Sequence, residues 1–346
     1  MSLRFPFKAS LAAALAAALL ASCADAPPPL ITPPPPAPTV SLPPRLIELA
    51  SAYRRYMVRT TAITPGFTDG GGVAGALQTG ASYEPQQLVR GAVAYSAVVA
   101  LQDKAFVDGV RVYAKDPVQR KQIAYELMKD PAYAVGISGS ASAAGLVIAT
   151  LGGDGQKLYD QGKAVKQAAY DIQKQPWSKD EVLGREARLA GAKSLSASAM
   201  TGDVAETARL QQAAMGAASL GLTAAPVAPP YTPTVIRGLA IAALAVLGEA
   251  TDANAEPLME LTREPNIGMC TSTSKLNLYQ CLAVARPNYE DVFCLGQHAM
   301  MDTGRCLIRA AGLPEPYEAR YIPDAKTIAK GMPTKKAPAK KGKKKS

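Results

Sequence analysis

The chain has 346 residues, a formal net charge of +10, 48% hydrophobic residues and 6% aromatic ones. Of its 38 Lys and Arg, Arg4 and Lys8 lie at the start and eight lysines lie from Lys330 to Lys345, which leaves 28 basic residues against 28 acidic ones. The body is therefore near neutral, which excludes a basic nucleic-acid-binding domain, and its length suits one large domain or two smaller ones.

The first residues read MSLRFPFKASLAAALAAALLASC. Arg4 and Lys8 precede an uncharged Ala/Leu run at 9–21, which is too short for a stable membrane span. It ends in Leu20-Ala21-Ser22-Cys23. This segment resembles a bacterial lipoprotein signal, in which Leu and two small residues precede the Cys. The resemblance covers residues 1–22 and Cys23 only. It implies cleavage before Cys23, a diacylglyceryl thioether on its sulfur and an acylated amino group. Several acyl chains anchor stably, because each buried methylene contributes about 0.8 kcal/mol. Position 24 is Ala rather than Asp, which for such lipoproteins implies the outer membrane, with the body facing the periplasm.

After Cys23, residues 24–44 hold ten prolines. They read as an extended polyproline II tether. At about 3.1 Å per residue it reaches roughly 60 Å. Ala, Leu, Gln, Lys and Glu dominate the rest, and alternating Val/Ile/Thr runs are scarce, so the fold class is all-α, an Ala-rich bundle or array. Helical spacing puts Leu46, Leu49, Tyr53, Tyr56 and Met57 on one face of a first helix at 45–59. A second helix covers 84–102. Asp116-Pro117 and Asp130-Pro131 each pair an N-cap acid with proline at the first helical position. Ser178 and Glu181 have capping-box spacing. Further helices are expected at 154–174, 179–199, 203–217, 234–248, 274–285 and 288–311. Residues 131–153 carry no charge. Their length would span a membrane, but Gly, Ser and Thr dilute them, so they read as a central buried helix. Residues 238–248 read as core.

AYELMKDP at 124–131 echoes AYDIQKQP at 169–176. A third copy is missing, so a helix end followed by a proline start accounts for both better than a repeat does. The Pro-rich stretch at 225–233 divides a helical body, 45–224, from a cysteine-bearing part, 225–329. The tail, 330–346, reads as disordered. Its Lys335, Lys336, Lys340, Lys341, Lys343, Lys344 and Lys345 are candidates for contact with an anionic envelope surface.

Chemical motifs are sparse. Gly70, Gly72 and Gly75 have GxGxxG spacing. No apolar strand precedes them, so they read as a flexible loop rather than a nucleotide site. Four of the five cysteines, Cys270, Cys281, Cys294 and Cys306, share one stretch with the single histidine, His298. Their separations are too wide for a usual structural zinc site. Glu290, Cys294 and His298 would line one helical face, but their side chains would run parallel rather than converge on a substrate. Disulfides fit an oxidising compartment and an even count. Cys281 and Cys294 centre on 287.5 and Cys270 and Cys306 on 288. A hairpin turning at Pro287-Asn288 would bond Cys281 to Cys294 inside and Cys270 to Cys306 outside. Sequential pairing, Cys270–Cys281 and Cys294–Cys306, is the alternative.

The function expected is non-catalytic binding or scaffolding of an unidentified envelope partner, with no cofactor, metal or nucleic acid. An envelope hydrolase using paired carboxylates and a small-molecule carrier with an apolar cavity are the alternatives.

Overall fold

The computed structural model describes residues 38–317, which belong to one compact unit. Among the described residues there are thirteen α-helices and no strands. They are α1 (Pro44–Thr61), α2 (Gly70–Ala81), α3 (Pro85–Ala100), α4 (Lys104–Ala114), α5 (Pro117–Lys129), α6 (Ser140–Asp171), α7 (Arg185–Ala197), α8 (Val204–Ala214), α9 (Pro233–Val246), α10 (Ala255–Leu261), α11 (Pro265–Val284), α12 (Asn288–Cys294) and α13 (Asp302–Ala311). A π-helix, Leu295–Met301, joins α12 to α13.

Acid-proline pairs start four elements. Glu84, Asp116, Asp130 and Glu264 each accept a backbone N–H of the turn that follows, with Pro85, Pro117, Pro131 and Pro265 at the first position. This satisfies donors that a helix start leaves orphaned, and proline has no N–H to waste there. Helices α3 and α9 are apolar on every side from Ala92 to Ala100, apart from Ser96, whose hydroxyl donates to Ala92 O, and from Gly238 to Val246, and both stretches are buried. Such helices belong at the centre of a bundle. The connection through 225–233 lies within the same unit, where Val227 N–H bonds Ala141 O and α9 packs on α3.

The long α6 lies against α12, the π-helix and α13. Their backbones touch at two glycine pairs. A Cβ on Gly304 would sit 2.7 Å from Gly155 O, and one on Gly296 would sit 2.8 Å from Gly162 O. The members are seven residues apart on α6 and eight apart on the partner. Eight α-helical residues overshoot two turns by about 80°, whereas seven stop about 20° short. The π-helix, bonding i→i+5, absorbs the extra residue and keeps Gly296 and Gly304 on one face.

Helices α11 and α12–α13 form the expected hairpin. Cys281–Cys294 and Cys270–Cys306 are bonded, with Cα–Cα distances of 5.7 and 5.8 Å. The nested pairing is the one present, and the second limb continues past Thr303-Gly304. Arg185 and Arg188 of α7 tie the turn down. Arg185 donates to Ala283 O and Ala285 O, and Arg188 donates to Leu282 O and to the Asp291 carboxylate. Cationic side chains at a helix C-terminus satisfy its last carbonyls.

Four expectations need correction. The glycine-rich stretch is not a loop but begins α2, because Asp69 accepts Gly72 N–H at 2.8 Å and Val73, Leu77 and Ala81 are buried. Cap and packing outweigh the roughly 1 kcal/mol that each helical glycine costs. Residues 131–153 are not one helix. Pro131–Gly136 is a 3-10 turn, and α6 starts at Ser140 and passes Gly152-Gly153 without a break, merging with the helix expected at 154–174. Among the described residues no helix is long and apolar enough to cross a membrane. Ser178 caps no α-helix. It sits in a 3-10 turn, donating to Ile172 O and Gln175 O, and α7 starts later at Arg185. Finally, α11 starts at Pro265, well before 274, because Glu264 accepts Ile267 N–H.

Candidate functional site

A groove of about 1040 Å³ opens between the first turns of α1 and α3, the segment 199–203 and α8. Its size suits a small ligand or a short chain segment. Ile47, Leu49, Met200, Val204 and Met259 supply apolar surface, and Arg45, Glu48, Gln86, Gln87 and Arg90 supply polar groups.

The irregular wall is held by side chains rather than by secondary structure. Gln87 bonds both backbone groups of Met200, donating to its carbonyl and accepting from its N–H, each at 2.7 Å. Arg55 donates to Thr201 Oγ1 at 2.7 Å and to Gly202 O at 3.1 Å. Ser51 Oγ donates to Asp203 O and accepts Asp203 N–H, each at 3.1 Å. Gly202 is close-packed there, since a Cβ would lie 2.5 Å from Ser51 Oγ. The Asp203 carboxylate accepts Glu206 N–H and so starts α8.

The α8 wall is set by ions. Arg54 Nη1 lies 2.9 Å from both Asp154 oxygens, and its Nε lies 3.8 Å from Glu206. Arg209 grips Glu206 with two bonds of 2.9 Å. Tyr53 OH donates to Asp154 at 3.0 Å, and the Arg54 guanidinium lies 5.0 Å from the Tyr95 ring centroid. Burial, with the Asp154 charge adding to it, pushes the Tyr53 hydroxyl well above its usual range, so this phenol stays protonated as a donor. Helices α1, α3, α6 and α8 are thereby locked around the groove before any ligand arrives.

The charges facing the groove divide into two kinds. Glu84 and Asp203 are committed to helix starts. Arg45, Glu48 and Arg90 have neither a hydrogen bond nor an ion pair from their side chains among the described residues.

The residues singled out by sequence lie elsewhere. Cys23, Lys335, Lys336, Lys340, Lys341, Lys343, Lys344 and Lys345 lie outside the described residues. Glu290, Cys294 and His298 each have a separate partner. Cys294 is bonded to Cys281, Glu290 accepts Arg286 N–H, and His298 Nδ1 is 2.8 Å from Asp302. No thiol remains at Cys294 for the chemistry weighed above. Among the described residues no three His, Cys, Asp or Glu side chains gather as metal ligands. The carboxyl that burial pushes up, Asp291, faces Arg188 away from the groove.

Sequence reasoning missed Lys275, the single charged residue of α11. It is 3% exposed, donates to Ala81 O, and lies 3.7 Å from the Tyr83 ring centroid. Burial holds its amine well below the usual value, with Glu84 opposing the shift. One lysine in a helix otherwise free of charge was the available signal. The groove left no sequence signal, because its walls come from positions more than a hundred residues apart.

Comparison with protein-family models, curated proteins and solved structures returned no match.

Proposed function

We propose that the protein is an envelope lipoprotein with a non-catalytic binding or scaffolding role, and that the groove beside α1, α3 and α8 receives the bound component. Acylated Cys23 anchors the chain to the outer membrane, the Pro-rich segment spaces the body into the periplasm, and the lysine tail contacts an anionic envelope surface. The observation that supports this reading is the wall at 199–203, fixed by Gln87, Arg55 and Ser51 beside arginines left without protein partners. A preformed, charged, water-facing groove lowers the ordering cost of binding. It differs from the continuous apolar cavity that a carrier of apolar molecules needs.

The test places a photocrosslinking residue at Val204, which lines the groove and is 87% exposed, and separately at Val118 on α5, 78% exposed and outside the groove. In intact cells a discrete envelope adduct is expected from position 204 and not from 118. Equal or absent labelling at both would overturn the assignment.

A further inference from the structure

We infer that the groove recognises an extended acidic peptide segment, with Arg45 and Arg90 taking carboxylate side chains and Leu49, Met200 and Met259 taking intervening apolar ones. The inference deepens the groove reading above and depends on it.

Charge carries the first part of the argument. Arg90 is half-buried in the second turn of α3, and Arg45 stands exposed at the start of α1. Both line the groove, and neither has a carboxylate partner among the described residues. A half-buried guanidinium without a partner is unusual in this chain. Arg54, Arg120 and Arg188 each pair with an acid, and the half-buried Arg55, Arg185 and Arg237 each bond backbone carbonyls. Of the three acids in the groove, Glu84 and Asp203 are spent on helix starts, and Glu48 is exposed to solvent. The site is left with two uncommitted cations against the single uncommitted carboxylate of Glu48, a surplus of positive charge. A guanidinium binds a carboxylate through a planar pair of hydrogen bonds.

Shape and lining carry the second part. The groove is open to solvent, and the amides of Gln86, Gln87 and Gln211 stand among its apolar groups. Gln86 makes no side-chain hydrogen bond among the described residues, and Gln211 reaches only the Met215 sulfur, at 3.6 Å. Amides that both donate and accept suit a peptide backbone. A lipid tail would prefer an enclosed, dry pocket without them. The wall that would meet the peptide is immobilised by Gln87, Arg55 and Ser51, so little entropy is lost on binding.

The test uses full-length protein and two fluorescent peptides of about eight residues, one alternating leucine with glutamate and one with glutamine in place of glutamate. Saturable binding of the glutamate peptide is expected, with the glutamine peptide at least about tenfold weaker, equivalent to 1.4 kcal/mol. Arg45→Gln and Arg90→Gln should each remove much of that preference. Neither should change thermal stability, since neither arginine holds a protein partner. Arg59→Gln, outside the groove, should leave binding unchanged. Equal binding of both peptides, abolished by Met200→Asp, would overturn the acidic specificity and leave the groove as a binding site. Binding of anionic-lipid vesicles with no binding of either peptide would overturn the peptide assignment. If neither peptide binds, the acidic-peptide inference falls, and the Val204 crosslink decides separately whether the groove reading falls with it.

Discussion

The register of α6 against the α12–α13 limb makes a sharp prediction through three glycines. A Cβ at Gly304 would stand 2.7 Å from Gly155 O, 2.7 Å from Tyr159 N and 3.0 Å from Tyr159 Cα. All three are backbone atoms of α6, so relief requires moving a whole helix rather than turning a side chain. Overpacking of this kind costs about 1–3 kcal/mol, and three backbone contacts place Gly304→Ala near the upper end. The better helix propensity of alanine returns about 1 kcal/mol. The net expectation is a loss of about 2 kcal/mol. Gly153, on α6 itself, is exposed and has nothing within 4 Å of its Cβ position. Gly153→Ala should therefore gain about 0.5–1 kcal/mol. Urea denaturation of the oxidised protein, comparing midpoints at unchanged slope, measures both. If Gly304→Ala proves as stabilising as Gly153→Ala, the two backbones do not touch there, and the register given to the π-helix is wrong.

Other consequences follow from single contacts. Arg188→Met leaves Asp291, 2% exposed, without its cation and frees the Leu282 carbonyl of α11. Breaking such a buried pair costs about 3–5 kcal/mol, and a denaturation midpoint within error of wild type would refute the tie. Lys275 links stability to pH. The unfolded chain keeps that proton up to about pH 10.4, whereas burial makes the folded chain release it earlier. The unfolded state therefore binds more protons between those two values, and stability rises with pH across that window. Lys275→Met removes this slope, so its stability relative to wild type should fall from neutral pH toward pH 10, and a flat difference would count against a depressed amine. Non-reducing peptide mapping should return Cys270–Cys306 and Cys281–Cys294, and finding Cys270 joined to Cys281 would contradict the hairpin. In the chain-entropy picture their loops contribute about 4 and 3 kcal/mol. Cys23→Ser should shift the protein from membranes to the soluble fraction, and deletion of 330–346 should abolish salt-sensitive retention on envelope material; a variant indistinguishable from wild type would remove the corresponding anchor or contact.

What was legible in the sequence and what was not divides along the range of the interactions involved. The nested disulfides were readable because hairpin geometry converts sequence position into distance, so two pairs sharing a midpoint must face each other. The acid-proline starts at Asp116 and Asp130 were readable because capping acts within one turn. The same signal at Glu264-Pro265 would have placed α11 correctly. The glycines misled. At Gly70–Gly72 and Gly152–Gly153 their intrinsic cost argues against helix; the Asp69 cap and the packing of Val73 and Leu77 reverse it at the first, and packing of the α13 limb at the second. That packing is set by residues far along the chain and has no local trace. The groove is the extreme case. Gln87 and Met200 are 113 residues apart, and Ser51 and Asp203 are 152 apart. Read alone, each is an ordinary surface residue. Together they fix an irregular wall beside Arg45 and Arg90, the two groove cations with no partner among the described residues. A cation that the fold does not consume is the feature most economically assigned to a partner. For that reason the two arginines, rather than the cysteines that dominate the sequence, are the residues on which the binding role should first be tested.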